Sequence, residues 1–280
     1  MKNHREELIR KFRSILDNEQ STENEIQKFL EENTELIPLP FLLNHWLHLN
    51  VVISKLEISS SFKTDFAYLT KSSDMWNLVL IEIEDSKKNI FLKNNENIKF
   101  SSEFNNAFDQ VMEWKAYIND NKQEVLKKIE VLKKPLSRNM VKVKYVLIIG
   151  RNKEKDNSER KRRMFAEKSN EEIRVMTYDS LISHYIKSTS DLRKLILAPW
   201  REGFRIKQIP NNIETDIFAY VKPEYLDLTK DNIEEFKKQD YQIDKWLQGT
   251  MLNAGGKYDD ESFAERTNNK LIKAVLMNKY

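Results

Sequence analysis

Lys63-Thr64-Asp65-Phe66-Ala67-Tyr68-Leu69, a short polar turn containing Asp74, and Trp76-Asn77-Leu78-Val79-Leu80-Ile81-Glu82-Ile83-Glu84 form the stretch on which the reading of this chain turns. The second half is an apolar, β-branched-rich run of strand length. Two acids interrupt it near its end. Successive strand side chains point to opposite faces, so Glu82 and Glu84 share one face. The first half also reads as a strand, with Lys63 and Asp65 on one face, and the Asp74 turn pairs the halves as neighbours. Asp65, Glu82 and Glu84 then gather at one place on a sheet. Carboxylates brought that close repel one another unless protonated or neutralised by a cation. Hard divalent ions take oxygen ligands, and Mg²⁺ is commonly held by one or two carboxylates with a phosphate completing its shell. Asp65, Glu82 and Glu84 are therefore candidate metal ligands.

Outward from this stretch, hydrophobic periodicity places helices and strands in alternation. Residues Arg5 to Leu16 carry Leu8, Ile9, Phe12, Ile15 and Leu16 on one helical face. A second helix starts at Thr22, with Glu25 at capping-box spacing and Ile26, Phe29 and Leu30 as its buried stripe. Pro38 and Pro40 mark a loop, and Leu49 to Ile58 reads as a strand. Beyond the motif, Asp85 to Ser101 is a polar surface loop. Ser102 to Ile118 is a helix whose core face is Phe104, Ala107, Phe108, Val111 and Ile118. A short helix over Lys122 to Leu132, a strand from Val141 to Ile149 ended by Gly150, a charged helix within Arg151 to Ser169, a strand from Ile173 to Thr177 and a helix from Asp179 follow. This order predicts an α/β (α+β) fold: a mixed central sheet flanked by helices. Residues 1–196 form that domain. Residues 197–280 are expected to be a C-terminal appendage or small domain, with Pro199-Trp200 and Pro210 to Asn212 as connections. Phe204 to Ile209 reads as a strand, Ile233 to Leu247 as a helix, Ala254-Gly255-Gly256 as a break, and Glu261 to Tyr280 as an amphipathic helix suited to oligomerisation.

Asp65 followed on the next strand by Glu82-x-Glu84 resembles the core of the PD-(D/E)xK nucleases. The surroundings narrow the likeness. Thr22-Glu23-Asn24-Glu25-Ile26-Gln27-Lys28-Phe29-Leu30-Glu31-Glu32-Asn33 resembles the N-terminal helix of the Shedu anti-phage nuclease family, Ala107-Phe108-Asp109-Gln110-Val111-Met112-Glu113-Trp114 its post-motif helix, and Thr177-Tyr178-Asp179-Ser180-Leu181 a segment near the end of its nuclease domain. The resemblance implies a Mg²⁺- or Mn²⁺-dependent DNA endonuclease and a homo-oligomer, a tetramer in that family. It also implies that Gln110 leans toward the active site and that Glu23, with Gln27 a turn later, can reach it. The last position of the motif is usually Lys. Glutamate at 84 cannot supply positive charge, although it can hold a second metal or accept a hydrogen bond from the attacking water. Lys63 is the candidate for the missing charge. A catalytically degenerate DNA-binding or scaffold protein on the same fold is the alternative.

Bulk properties bound the rest. The 280 residues suffice for one large or two ordinary domains, and the 40% hydrophobic content provides a core. Cysteine is absent, which excludes disulfides and thiolate metal sites. With five glycines and no Gly-rich phosphate loop, nucleotide-triphosphate and dinucleotide folds are set aside. The first residues have no apolar stretch of a signal peptide, and no run reaches a membrane span, so a cytoplasmic protein is expected. Net charge is only +3, so nucleic acid would be met by local patches. Lys87 and Lys88, just past the motif, and Arg160, Arg162 and Arg163 within a basic run are the candidates for DNA contact. His45 and His48 have i, i+3 spacing but no visible third ligand, and Trp76, Trp114 and Trp200 are expected in the core.

Overall fold

In a computed structural model of the chain, residues 2–93, 97–188, 192–253, 256–262, 264–265 and 267–268 are described. The hairpin is the spine of the sheet. β1 (Val51–Ser54), β2 (Phe66–Lys71) and β3 (Met75–Ile83) run antiparallel to one another in sequence, with β2 and β3 in register from Phe66↔Ile81 to Lys71↔Trp76. β4 (Met140–Ile148) lies parallel to β3, and β5 (Ile173–Met176) parallel to β4. On the other side, β6 (Leu195–Trp200) is parallel to β1, followed by β7 (Gly203–Gln208) and the two-residue β8 (Leu226–Asp227). The result is one eight-stranded mixed sheet in the order β5-β4-β3-β2-β1-β6-β7-β8.

Strand alternation sorts the apolar side chains into two cores. Ala67, Leu69, Leu78 and Leu80 face α3 (Ser102–Lys127), which buries Phe104, Ala107, Val111, Trp114 and Ile118 against them. Phe66, Tyr68, Val79, Ile81 and Ile83 face the opposite way. There they meet α1 (Lys2–Asp17) through Leu8, Phe12 and Leu16, α2 (Glu23–Glu32) through Ile26 and Leu30, and α5 (Tyr178–Lys187) through Leu181 and Ile182. The capping box at the start of α2 is formed: Glu25 N–H donates to the Thr22 hydroxyl, and Thr22 N–H donates to the Glu25 carboxylate at 2.8 Å. That closure fixes where Glu23 begins the helix.

Several boundaries differ from the sequence expectation for local reasons. β1 stops at Ser54, because Lys55 turns left-handed at φ 54°. α3 continues through Lys122 to Lys127 across a local break at Asn121 (φ −121°), so the expected second helix is mostly its last turns. Pro199 and Trp200 are not a connection: Pro199 pairs Phe204 within β6 and β7. The helix expected over Ile233 to Leu247 is two, α7 (Lys230–Lys238) and α8 (Ile243–Leu247), parted at Asp240, which is left-handed at φ 66°. α4 (Glu159–Glu167) and the 4-residue α6 (Ile217–Tyr220) are further helices, and the described residues 260–262, 264–265 and 267–268 are helical as well. Trp76 and Trp114 are core, whereas Trp200 is 38% exposed beneath the Arg205 guanidinium. Residues 195–208, expected in part as an appendage, lie on the same sheet as the hairpin. Ala254, Gly255, Leu271, Ile272, Val275 and Leu276 lie outside the described residues. Among the described residues no helix is long and apolar enough to cross a membrane.

Candidate active site

Asp65 stands just before β2. Its N–H donates to the Ile81 carbonyl at 3.1 Å, which sets it across from Glu82 on the next strand. One carboxylate oxygen of Asp65 accepts the Ile83 N–H at 2.8 Å and the other accepts Lys55 Nζ at 2.5 Å. Glu82 continues the face of Leu78 and Leu80, so it projects toward α3, where the Gln110 side-chain amide donates to it. Glu84 lies past the end of β3. Its N–H donates to Ile148 O at 2.9 Å, its carbonyl accepts Tyr178 O–H at 2.6 Å, and its carboxylate pairs with Lys88. Asp65, Glu82 and Glu84 are each less than a tenth exposed.

Electrostatics bind these groups into one unit. Burial pushes the Glu82 carboxyl up to about 10, helped by the charge of Asp65, a hydrogen bond with it, and the charges of Glu84 and Glu23. Glu23, first residue of α2, is raised by burial and then by the charges of Asp65 and Glu84. For Lys88, burial opposes the charge, but the hydrogen bond to Glu84 together with the charges of Glu84, Glu23 and Glu103 outweighs it, and the ammonium is held above its usual range. Gln27, a turn after Glu23 on the same helix side, is 5% exposed. The segment carrying Lys88 is held down by Gly150: this residue is left-handed at φ +63°, and a Cβ there would sit 2.9 Å from the Lys88 carbonyl oxygen.

The other candidates fall elsewhere. Lys63 pairs with Glu57 at 3.1 Å on the surface. Lys55 is the cation at Asp65 instead, because the chain folds back so that Lys55 N–H donates to Asp65 O at 3.0 Å. No sequence signal marks Lys55, since it sits inside what reads as an uninterrupted strand. Lys87 turns toward the connection between α1 and α2, donating to the carbonyls of Glu19 and Ser21. Arg160 and Arg162 are exposed on α4, and Arg163 pairs with Glu159 one turn back. α4 packs by Phe165 near Phe104 at the start of α3. His48 is buried edge-on to Trp76, with Nε2 hydrogen-bonded to Leu132 O at 2.8 Å. Burial and nearby Lys71 push it down to about 3, a packing role.

Among the described residues, no three His, Asp or Glu side chains stand together as a ready metal-binding set. The donors nonetheless suit a hard cation: Asp65 and Glu82 are buried oxygen ligands in mutual contact, and their repulsion is what a divalent ion relieves. They fit such an ion as a pair.

The raised carboxyl of Glu82 has a measurable consequence. Its folded value, about 10, lies above the ordinary 4.5, so the native state keeps a proton that the unfolded chain has lost. The stability this group contributes is complete below about pH 4.5 and falls away as pH rises toward 10. In chelator, the wild-type melting temperature is expected to decline with pH across that window. Glu82→Gln, which cannot ionise, is expected to decline less. Equal slopes for the two chains would remove Glu82 as the titrating group.

No curated protein matches this chain. A family model described as "Shedu protein SduA, C-terminal" matches residues 20–182, a span holding Glu23, Lys55, Asp65, Glu82, Glu84 and Gln110. That span is more than half of the 280 residues, and the chain belongs to the Shedu family.

Proposed function

We propose that the protein is a metal-dependent DNA endonuclease that breaks phosphodiester bonds. Membership of the Shedu family links the chain to anti-phage defence. The observation that carries the nuclease reading is the contact between the buried Asp65 and Glu82 carboxyls, with Lys55 on one and Gln110 on the other. Asp65 and Glu82 would hold Mg²⁺ or Mn²⁺. When bound, such an ion polarises a phosphate oxygen and acidifies a water. The chain's own groups do the rest. The Ile83 N–H and Lys55 fix the Asp65 oxygens. Gln110 fixes the rotation of Glu82. Lys55, with its side chain 40% exposed, presents positive charge where a phosphate would approach, a task the motif position at Glu84 cannot perform. Glu84 and Glu23 are acceptors able to orient the attacking water and receive its proton.

The rival reading, a DNA-binding scaffold, draws on the pairing of Glu84 with Lys88, which leaves that acid neutralised without any metal. Supercoiled plasmid separates the two. With Mg²⁺ or Mn²⁺ the purified protein is expected to yield nicked or linear product, and none in chelator. Plasmid that is bound yet stays intact under all these conditions would overturn the nuclease. The resemblance also implies a homo-oligomer, for which light scattering of the full chain is the direct measurement.

A further inference from the structure

At the end of the sheet opposite the carboxylates, the last turns of α3 and the start of β4 enclose a cleft of about 590 Å³. Its lining is unusually one-signed: Lys122, Lys127, Lys133 and Arg138 against a single acid, Glu130. Among the described residues, none of these four cations has an ion-pair partner. A lysine in the last turn of a helix is ordinarily explained by the helix dipole, and that suffices for Lys127. It does not explain Lys133. That residue lies beyond the helix; its stem is packed down so that the residue is 8% exposed, while its ammonium still reaches solvent and has no hydrogen-bond partner among the described residues. A partly desolvated ammonium with no partner of its own is stabilised when an anion is brought into the same space. Burial alone holds Lys133 below the usual lysine range, with Glu130 only partly offsetting it.

We propose that this cleft is a binding site for a phosphate-bearing polyanion, with Lys133 at its floor and Lys122, Lys127 and Arg138 around its mouth. The volume is that of a small-molecule site, large enough for a few linked phosphates. Two sources carry this chemistry: a free polyphosphate, or the backbone of a nucleic acid lying along α3. Gln110 and Lys127 are on that one helix, roughly 25 Å apart along its axis. One duplex would therefore reach both ends of α3. The site itself does not rest on the nuclease reading, because none of its residues touches the carboxylates.

Tripolyphosphate titrated calorimetrically into the full chain, without divalent ions, is the first probe. One molecule is expected per chain, with affinity about tenfold weaker in Lys133→Met and in the mouth pair Lys122→Gln/Arg138→Gln. The mouth pair, half-buried Lys122 and exposed Arg138, guards against a folding defect in the Lys133 variant, and matching far-ultraviolet spectra and melts confirm that both fold. The second probe is a labelled 30-base-pair duplex in chelator at several salt concentrations. If the source is backbone, the mouth pair lowers the slope of log affinity against log salt by about 2. If tripolyphosphate binding weakens while the duplex slope is unchanged, the source is a free polyphosphate. If neither probe is weakened by either variant, the site is absent. All arms omit metal, so failure of the nuclease reading would leave them unaffected.

Discussion

Glu82→Gln and Asp65→Asn are each expected to reduce plasmid cleavage by at least about a thousandfold while leaving the protein folded. The magnitude follows from the several kcal/mol of transition-state charge stabilisation lost with a metal ligand, at about 1.4 kcal/mol per tenfold. Glutamine keeps the shape of the side chain and still accepts from Gln110, but it cannot supply a charged oxygen. Asparagine at 65 can still accept the Ile83 N–H. The double variant is expected to be little worse than either single one, because residues that act as a unit do not add. Calorimetric titration with Mn²⁺ completes the test: wild type binds with release of protons as Glu82 ionises, so its affinity rises with pH, and both variants lose most of that affinity. Undiminished cleavage by either variant removes its residue from the proposed machinery.

Lys55→Met is expected to lower kcat by about a hundredfold or more, with a smaller change in KM. Its side chain supplies charge next to Asp65, and removing a preorganised charge from a partly desolvated site weakens the transition state more than the ground state. Lys55→Arg is expected to recover part of the rate, since charge is kept but the single-point contact is changed. Lys63→Met is the control, expected within about twofold of wild type, because Lys63 spends its charge on Glu57 at the surface, where an ion pair is worth little. If Lys63→Met loses activity and Lys55→Met keeps it, the structural assignment of the cation is reversed.

This pair of lysines shows where sequence reading reaches its limit. The β2–β3 hairpin was legible because its apolar residues sit in two strand-length runs joined by a turn, and register alone then brings Asp65 opposite Glu82. The Thr22 capping box and the apolar stripe that sets Gln110 at the margin of α3 were legible for the same local reason. Lys55 was not. Its left-handed backbone belongs to residues that rarely adopt it, and nothing in Ser54-Lys55-Leu56 announces the turn. Two residues from Asp65, Lys63 had the better claim by alternation, but the strand begins only at Phe66, so alternation does not yet govern its side chain. The pairing of β6 with β1 was illegible too: parallel partners far apart in sequence leave no local mark, and Pro199 argued against a strand. The exposure of Trp200 followed from that miss.

The same β1–β6 ladder sets how much of the chain can stand alone. The stretch recognised as Shedu ends at residue 182, thirteen positions before Leu195, where β6 begins. A protein cut there would leave Val51, Val52 and Ile53 without the neighbours that now cover that side. Unpaired amides and carbonyls would line an apolar border, an invitation to intermolecular stacking. The minimal unit that can be moved, fused or crystallised is therefore longer than the unit that can be recognised, and its outer margin is supplied by residues that carry no family signature.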